Sequence, residues 1–196
     1  MEFETVVRKR RMVRNFRDDR PVPDDDLLKI LALAQHYPSA GFSQGVAFVA
    51  IRDPETKKKV GGEEKYWANG RLNFVLRAPV VILICASEAI YHRRYQEPDK
   101  VLPDGSEIQW PTPYWFFDAG AATMIILHAA IDLGYAAVFS GLSGPDIPGV
   151  KKALGIPEEF HPVGIVCVGE RAPDKPSPSL RRGRRPYAEV VHFEHW

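Results

Sequence analysis

Residues 114–134, YWFFDAGAATMIILHAAIDLG, form the longest helical pattern in the chain and decide its fold. The pattern is apolar on nearly every side, and small residues from Ala119 to Ala122 occupy its first half. A helix that is hydrophobic all round has to be buried on every face. Because a chain of 196 residues offers little room for this within one subunit, we expect the helix to lie at the centre of a homodimer.

Strand and helix patterns alternate on both sides of this helix. Apolar runs predict strands at 46–51, 80–85, 136–140 and 163–169. Helices are predicted before the first arginines, from Pro23 to before Pro38, from Pro54 to about Asn69, and from Pro148 to Leu154. The second of these should bury Leu27, Leu28, Ile30, Leu31 and Leu33. The alternation predicts an α+β fold, an α/β sandwich, in a single domain over residues 1–196.

The composition excludes partners that need a strong electrostatic field. The formal net charge is +1, which argues against nucleic acid and an anionic membrane as partners. Cys85 and Cys167 lie within apolar runs, so we expect buried thiols rather than a disulfide. We find no signal-peptide pattern and no segment with the length and polarity of a membrane span, the longest candidate being 119–130. These features predict a cytoplasmic protein.

Arginine clusters lie near both ends of the chain, RKRRMVR at residues 8–14 and RRGRR at 181–185. Guanidinium donates two parallel hydrogen bonds to phosphate and stays charged at physiological pH. In a chain with almost no net charge, the two clusters predict one local anion held from both sides. Either cluster alone is typical of a solvated arm or an RNA-binding tail. The second, however, leads into PYAEVVHFEHW at 186–196, whose apolar content predicts packing rather than disorder.

Two connecting segments are candidates for ligand contacts. The loop YPSAGFSQG at 37–45 combines hydroxyls, a carboxamide and small residues, which can offer donors to a phosphate or a heterocycle, although a helix cap would look similar. The segment 87–113 is too long for a simple connection, and Asp104-Gly105 within it is a hairpin-type turn. Its aromatics and those just after it, Tyr91, Tyr95, Trp110, Tyr114 and Trp115, predict an ordered flap that stacks on a substrate or packs at a dimer interface.

The order and spacing of several motifs resemble the FMN-dependent nitroreductase family. The motifs are RRMVRNF at 10–16, PVP at 21–23, PSAGFSQ at 38–44, YWFFDAGA at 114–121, SLRRGRRP at 179–186 and VVH at 190–192, and they cover essentially the whole chain. The resemblance implies a central, mostly antiparallel sheet flanked by helices in an intertwined homodimer. It also implies FMN at the dimer interface and NAD(P)H as the electron donor. Residues 87–113 are then an inserted flap and residues 179–196 a C-terminal arm.

The resemblance implies a role for each of five arginines. Arg10 and Arg11 would contact the FMN phosphate, to which Arg182 and Arg184 would return from the C-terminal arm. Arg14 would lie by the pyrimidine edge of the isoalloxazine. A positive group near N1 and O2 stabilises the negative charge of the reduced flavin.

The same resemblance implies contacts from two loops. Ser39, Ala40, Gly41 and Ser43 would line the flavin, and Gln44 would reach the ring or ribityl chain from the partner subunit. Ser140 and Gly141 match the turn that directs a backbone N–H at flavin N5 and O4. The flap would form part of the active-site roof and set the acceptor preference.

The chain departs from the family pattern at three points. Met12 replaces the usual small hydroxyl residue, so one hydrogen bond to the flavin or phosphate should be missing or replaced. Gly45 replaces the usual proline after the glutamine. The family's mid-chain asparagine contact matches Asn69, Arg71 or Asn73, and the sequence does not choose among them.

The implied reaction is a ping-pong transfer of electrons from NAD(P)H through FMN to a small organic acceptor such as a nitroaromatic or a quinone. It needs no acid, base or nucleophile from the protein, so we expect no catalytic side chain. The six histidines lack metal-ligand spacing, so no metal is expected. Asp118 is expected to be a helix cap or dipole partner rather than a general acid.

Two alternatives stay open. The loop at 38–44 and the turn ending at Ser140 also resemble the branch that fragments reduced FMN to 5,6-dimethylbenzimidazole, although Met12 stands where that branch usually carries an aspartate. The chain could also bind a flavin or a deazaflavin without turnover. Neither the physiological acceptor nor the choice between NADH and NADPH follows from the residues.

Overall fold

The computed structural model describes residues 1–63, 73–142 and 146–196. Within these residues the helices are α1 (Phe3–Lys9), α2 (Asp24–Ala34), α3 (Pro54–Lys57), α4 (Phe74–Arg77), α5 (Glu88–Tyr95), α6 (Tyr114–Asp132) and α7 (Ile147–Leu154). The strands are β1 (Val46–Ile51), β2 (Val80–Ala86), β3 (Ala136–Gly141) and β4 (His161–Gly169).

The strands form one antiparallel sheet in the order β1-β2-β4-β3, with β1 and β3 at its edges. Val46 pairs with Ala86, Ala86 pairs with His161, and Gly141 pairs with Gly164. The start of β1 and the end of β3 therefore lie at the same end of the sheet. This register places the loop before β1 and the last residues of β3 at the same end of the sheet. Both were predicted to contact a ligand.

Helices cover both faces of the sheet. Every residue of β2 is buried, and alternate side chains point to opposite faces. Ile82 and Ile84 pack with residues of α2 and α6, whereas Leu83 and Cys85 pack with residues of α4 and α7. The chain is thus a three-layer α+β sandwich around an antiparallel sheet, and the predicted fold class is confirmed.

The four predicted strands are confirmed, each to within two residues. The charged helix predicted from Pro54 is wrong in its length. α3 ends at Lys57, and residues Lys58–Gly62 form a wider π turn in which Gly61 has a φ of 124°. Because Glu63 is already extended, the helix does not continue. Its predicted end at Asn69 lies outside the described residues.

Two helices leave apolar side chains uncovered. α2 buries Leu27 and Ile30, but Leu28 is 63% exposed, so its predicted burial is wrong in the single chain, as is that of Leu33. On α6, the exposed residues Phe117, Gly120 and Met124 recur at helical spacing and form a stripe. Nothing in the described chain covers this stripe, so the burial of every face of α6, which we expect in a homodimer, stays a prediction.

The length of α6 corrects a second expectation. By length and composition alone, its 19 residues suffice to cross a membrane, so the prediction that no segment is that long is wrong. Its packing is that of a core helix, since Ala119, Ala122, Ile126 and Ala130 are fully buried. Its fifth residue, Asp118, is also buried.

The chain ends in the C-terminal arm, residues 179–196, which runs over the surface. Tyr187 and Phe193 are exposed, and Trp196 is entirely so. The arm therefore does not pack on its own chain as its composition predicts, and packing against a second subunit stays a prediction.

The two cysteines are free and buried in β2 and β4, as predicted. Burial raises the pKa of the Cys85 thiol to about 11. It also raises the pKa of Cys167. Both thiols therefore stay protonated at neutral pH and serve as apolar core groups.

Candidate functional site

The loop from Ser39 to Gln44 has a strained backbone. Gly41 (φ 59°), Phe42 (φ 57°) and Gln44 (φ 56°) all lie in the left-handed region. Only glycine adopts this region without steric cost, because a Cβ atom crowds the following carbonyl oxygen. Such strain persists only where the surrounding structure over-determines the conformation, and it clusters at ligand sites.

Hydrogen bonds within the loop hold this conformation. The Gln44 N–H donates to Ser39 Oγ (3.1 Å), the Phe42 N–H donates to the Ser39 carbonyl (2.9 Å), and Ser43 Oγ donates to the Ala40 carbonyl (2.6 Å). Several donors that the sequence offered to a ligand are therefore used inside the loop. The Gln44 carboxamide has no hydrogen-bond partner within the described parts of the chain, and its side chain lines a groove of about 360 Å³ on the outer side of β1.

Asp118 anchors the loop from below. It lies one turn into α6, is 9% exposed, and its Oδ2 accepts hydrogen bonds from the Ala40 N–H (3.0 Å) and from Tyr91 Oη (2.7 Å). Of the two roles expected for Asp118, the helix cap is wrong, since the N-cap is Pro113, five residues earlier, and no side chain caps the helix. The role of dipole partner stays a prediction. A lone carboxylate on the buried side of an apolar helix was the available signal for the anchoring role.

The flap, residues 87–113, packs against the loop through α5. A Cβ atom at Gly41 would lie 2.6 Å from the Tyr95 ring, and one at Gly45 would lie 2.4 Å from the Tyr91 ring. Arg94 Nε donates to the Gly41 carbonyl at 2.9 Å. The replacement of the usual proline by Gly45 thus has a physical cause, because the Tyr91 ring fills the space of a side chain.

The flap aromatics form a cluster with one another. The Trp110 ring centroid lies 4.6 Å from that of Tyr95, 6.2 Å from that of Tyr91 and 6.1 Å from that of Trp115. Tyr91 is fully buried, and burial together with the Asp118 hydrogen bond raises its pKa. The prediction that Tyr91 stacks on a substrate is therefore wrong, because its ring is not accessible in the folded chain. A roof formed by the rest of the flap stays a prediction.

Polar contacts also join residues within the flap. Glu107 Oε1 lies 2.6 Å from His92 Nδ1 and accepts a hydrogen bond from Trp110 Nε1 at 2.5 Å. Glu88 lies 3.4 Å from the other ring nitrogen of His92. Burial lowers the pKa of His92, but the hydrogen bonds to Glu107 and Glu88 outweigh it, and the net shift is upward.

The first arginine cluster runs beside β3. Met12 forms a parallel bridge with Ala137, and the Val13 N–H donates to the Ala137 carbonyl at 3.1 Å. Met12 also packs against the core. Its replacement of a small hydroxyl residue therefore adds an apolar contact to the fold.

Seven arginine side chains lack a carboxylate partner within residues 1–63, 73–142 and 146–196. Five of them are the predicted cofactor contacts Arg10, Arg11, Arg14, Arg182 and Arg184, and the other two are Arg171 and Arg181. Arg17 and Arg94, by contrast, lie 2.8 Å and 2.7 Å from carboxylate oxygens of Asp19 and Asp99. Guanidinium groups without such a partner are available to an external anion.

The end of β3 is open among the described residues, since a Cβ atom at Gly141 would meet none of their atoms within 4 Å. Ser140 follows Ala137 by three residues, which is about 10 Å along a strand. Arg10, Arg11 and Arg14 therefore share the β3 edge with Ser140 and Gly141. The turn predicted at these two residues is wrong, because they are the last residues of β3 and pair with Ile165 and Gly164 of β4. Residues 143–145 of the predicted turn lie outside the described chain.

The loop from Ser39 to Gln44 emerges at the opposite edge of the sheet. It precedes β1, which is separated from β3 by three interstrand spacings, about 14 Å. Within one chain, the structure therefore does not bring this loop together with the β3 edge and its arginines.

The C-terminal arm carries the remaining two predicted arginines. The segment that leads into the arm is held near the first arginine cluster. The Arg14 backbone N–H donates to Asp174 Oδ2 at 3.2 Å, and Asn15 Nδ2 donates to the Pro173 carbonyl at 2.6 Å. Arg182 ends a short 3₁₀ turn, Pro178–Arg182, and both Arg182 and Arg184 are exposed.

The mid-chain asparagine contact stays a prediction with all three candidates open. Asn73 caps α4, and its side chain accepts the Leu76 N–H at 3.3 Å. Asn69 and Arg71 lie outside the described residues. Among the described residues, no group of three or more His, Cys, Asp or Glu side chains is arranged to hold a metal ion.

Comparison with known proteins gives one consistent result. The model of the nitroreductase family matches residues 7–67 and 58–170. A provisionally named NADH dehydrogenase/NAD(P)H nitroreductase of Archaeoglobus fulgidus is 30% identical over 166 residues, covering 84% of this chain and 82% of the relative. An NADPH-dependent oxidoreductase of Staphylococcus aureus is 25% identical over 193 residues, covering 95% of this chain and 71% of the relative.

Solved structures share the fold over nearly the whole chain. A nitroreductase family protein from Clostridium difficile aligns with a TM-score of 0.71 at 24% identity and covers 100% of both chains. Nitroreductase A from Vibrio parahaemolyticus aligns with a TM-score of 0.75 at 19% identity and covers 98% of this chain and 76% of that chain.

Proposed function

The chain belongs to the nitroreductase family, and from that premise we propose that it is an FMN-dependent oxidoreductase that passes electrons from NAD(P)H to a small organic acceptor. The names of the two relatives support the electron donor. The acceptor class that we propose is a nitroaromatic, a quinone or a similar molecule. The observation that carries the proposal is the run of unpaired arginines beside the open end of β3.

The arginines fit the phosphate of FMN. We assign the phosphate to Arg10, Arg11, Arg182 and Arg184, because guanidinium groups without a carboxylate partner can each donate charge-assisted hydrogen bonds to it. Arg14 would lie at the pyrimidine edge, where a positive charge favours the reduced cofactor.

The two loops fit the ring system. We assign the flavin lining to Ser39, Ala40, Gly41 and Ser43, with Gln44 directed at the ring or ribityl chain. The free Gln44 carboxamide supports this role. Ser140 and Gly141 would present a backbone N–H to N5 and O4, because the open space at Gly141 lets a ligand approach the main chain.

When bound, FMN would supply the redox chemistry of a ping-pong sequence, with NAD(P)H as the electron donor and the acceptor as the second substrate. The protein's part is to bind, orient and polarise the cofactor. We therefore assign no catalytic side chain and no metal.

We propose that two chains build each site. The Ser39–Gln44 loop and the β3 edge lie about 14 Å apart in one chain, so a partner's loop is the better source of the second set of contacts. The exposed stripe of Phe117, Gly120 and Met124 and the apolar C-terminal arm support an intertwined homodimer. The whole chain would be one domain, residues 1–196, with the flap at 87–113 and the arm at 179–196.

We also propose that the protein works in the cytoplasm, without nucleic acid or a membrane as partner. The free buried thiols of Cys85 and Cys167 are typical of a reducing compartment. The near-zero net charge argues against a polyanionic partner.

Steady-state kinetics of the FMN-loaded protein test the reaction. With NADH or NADPH varied at several fixed concentrations of menadione, the proposal predicts parallel double-reciprocal lines. Intersecting lines would contradict the ping-pong sequence. Absence of NAD(P)H oxidation with menadione, a nitroaromatic and ferricyanide would favour a flavin- or deazaflavin-binding protein without turnover.

The 5,6-dimethylbenzimidazole alternative has its own measurement. Reduced FMN incubated with the protein in air would be consumed without return of the oxidised flavin, and the new product would be seen by chromatography. Full recovery of FMN in air would leave the oxidoreductase as the remaining enzyme.

A further inference from the structure

We propose that Phe42 is a specificity-determining residue, a ring on which a flat aromatic acceptor stacks. The inference deepens the proposed function and rests on it. It assigns a residue to the recognition of the aromatic acceptors proposed above, and Phe42 belongs to no set of contacts assigned there.

The exposure of Phe42 is the first observation. Its side chain is 73% exposed, and within the described residues its ring makes no contact with another aromatic ring. A phenylalanine in this position adds nothing to the core. A large apolar side chain that the fold keeps in solvent is available to a ligand or partner.

The backbone of Phe42 is the second observation. Its φ of 57° is unfavourable for a residue with a Cβ atom. Glycine or asparagine would adopt this conformation more easily, so the turn alone does not explain an aromatic residue here. Strain of this kind is typical of positions held for binding.

Hydrogen bonds hold the backbone around Phe42. Its N–H is bound to the Ser39 carbonyl at 2.9 Å, and on either side of it Asp118 holds the Ala40 N–H and Ser43 is bonded to Ala40. Arg94 holds the carbonyl of Gly41. The backbone is therefore held on both sides of Phe42, and in this conformation the ring lies in solvent.

The position of Phe42 is the third observation. It lies between Gly41 and Ser43, two of the residues assigned to the flavin lining, and two residues before Gln44. A ring at this point borders the space beside the cofactor that an acceptor has to enter. Offset stacking between aromatic rings then adds affinity for flat acceptors and none for compact inorganic ones.

The test compares two acceptors with the FMN-loaded protein. Menadione is a flat aromatic quinone, and ferricyanide is an inorganic one-electron acceptor that does not stack. In Phe42→Ala, we expect KM for menadione to rise about three- to tenfold, the range of one aromatic pair. KM for ferricyanide and the Kd for FMN should stay unchanged. Phe42→Trp, which retains a flat ring, should keep the menadione KM within about twofold.

The matched control is Phe3→Ala, because Phe3 on α1 has the same exposed fraction, 73%. It should leave both KM values unchanged. If Phe42→Ala does not fold, Phe42→Asn serves instead, since asparagine tolerates the left-handed region. An unchanged menadione KM, an equal rise for both acceptors, or loss of the dimer in sedimentation would overturn the role of Phe42. A wild-type protein that reduces neither acceptor would instead contradict the proposed function itself.

Discussion

Tyr91 donates its hydroxyl hydrogen to Asp118 across 2.7 Å, and the same carboxylate oxygen accepts the N–H of Ala40. One buried carboxylate thus joins α5 of the flap, the long helix α6 and the loop that we assign to the flavin. The strained backbone of that loop depends on this junction, because it holds Ala40 immediately before the left-handed residues.

Removing the Tyr91 hydroxyl should weaken the fold. We expect Tyr91→Phe to lower the free energy of unfolding by about 1.5–3 kcal/mol, the value of a hydrogen bond to a charged group. Urea denaturation measures this. Tyr187→Phe is the control, since Tyr187 is 68% exposed on the arm and should change little. Equal stability of the Tyr91→Phe protein and the wild type would show that the carboxylate is satisfied without it.

The unpaired arginines should determine FMN affinity. Arg10→Ala and Arg184→Ala are each expected to weaken FMN binding by about 1.5–3 kcal/mol, because each removes a charge-assisted hydrogen bond to the phosphate. Quenching of flavin fluorescence gives the Kd. Arg8→Ala is the matched control, as Arg8 lies in the same cluster but is paired with Glu4 at 2.7 Å. Unchanged Kd values for both variants would mean that the phosphate binds elsewhere.

The exposed stripe of α6 should form the dimer interface. Phe117→Asp is expected to shift the protein towards monomers at micromolar concentration, because it buries an unpaired charge in an interface of at least about 2,000 Å². Sedimentation velocity measures the shift. The control is Leu102→Asp, which places the same charge at an exposed apolar residue of the flap and should leave the dimer intact. A wild-type protein that sediments as a monomer would remove this prediction and the two-chain site together.

The flap should loosen as the pH rises. The pKa of His92 is raised above 6.5 in the folded protein, as its hydrogen bonds to Glu107 and Glu88 outweigh burial. Its stabilising contribution is therefore complete below about pH 6.5 and is lost as the pH rises through the folded pKa. Amide hydrogen exchange across residues 88–110, corrected for the intrinsic rate, should show the loss. In His92→Gln, a flap that still loosens over the same pH range would assign the effect to another group.

The sequence predicted the layers of the fold well, because they follow from local patterns. The strands are continuous apolar runs, as in Val80–Ala86, and the helices carry start signals such as the acidic residues at 24–26. The end of the helix predicted from Pro54 was missed although Gly61 and Gly62 mark it in the sequence, since glycine favours the positive φ that Gly61 adopts.

The sequence predicted only those parts of the candidate site whose residues are neighbours along the chain. The arginine clusters and the loop at 38–44 stand out as motifs. The junction of Tyr91, Asp118 and Ala40 joins residues 27 and 78 positions apart in sequence, and no local pattern indicates such a contact. The exposed stripe of α6 was hidden for a related reason, since a helix covered by a second subunit and one covered by its own chain have the same composition.

The most direct test of the central claim is anaerobic reduction of the purified protein, saturated with FMN and followed by its visible absorbance. We expect about one flavin bound per chain, held by two-chain sites. The oxidised flavin absorbance should disappear on addition of NADH or NADPH and return on addition of a quinone. A protein that is colourless as purified and fails to bind FMN at micromolar concentration would contradict the account.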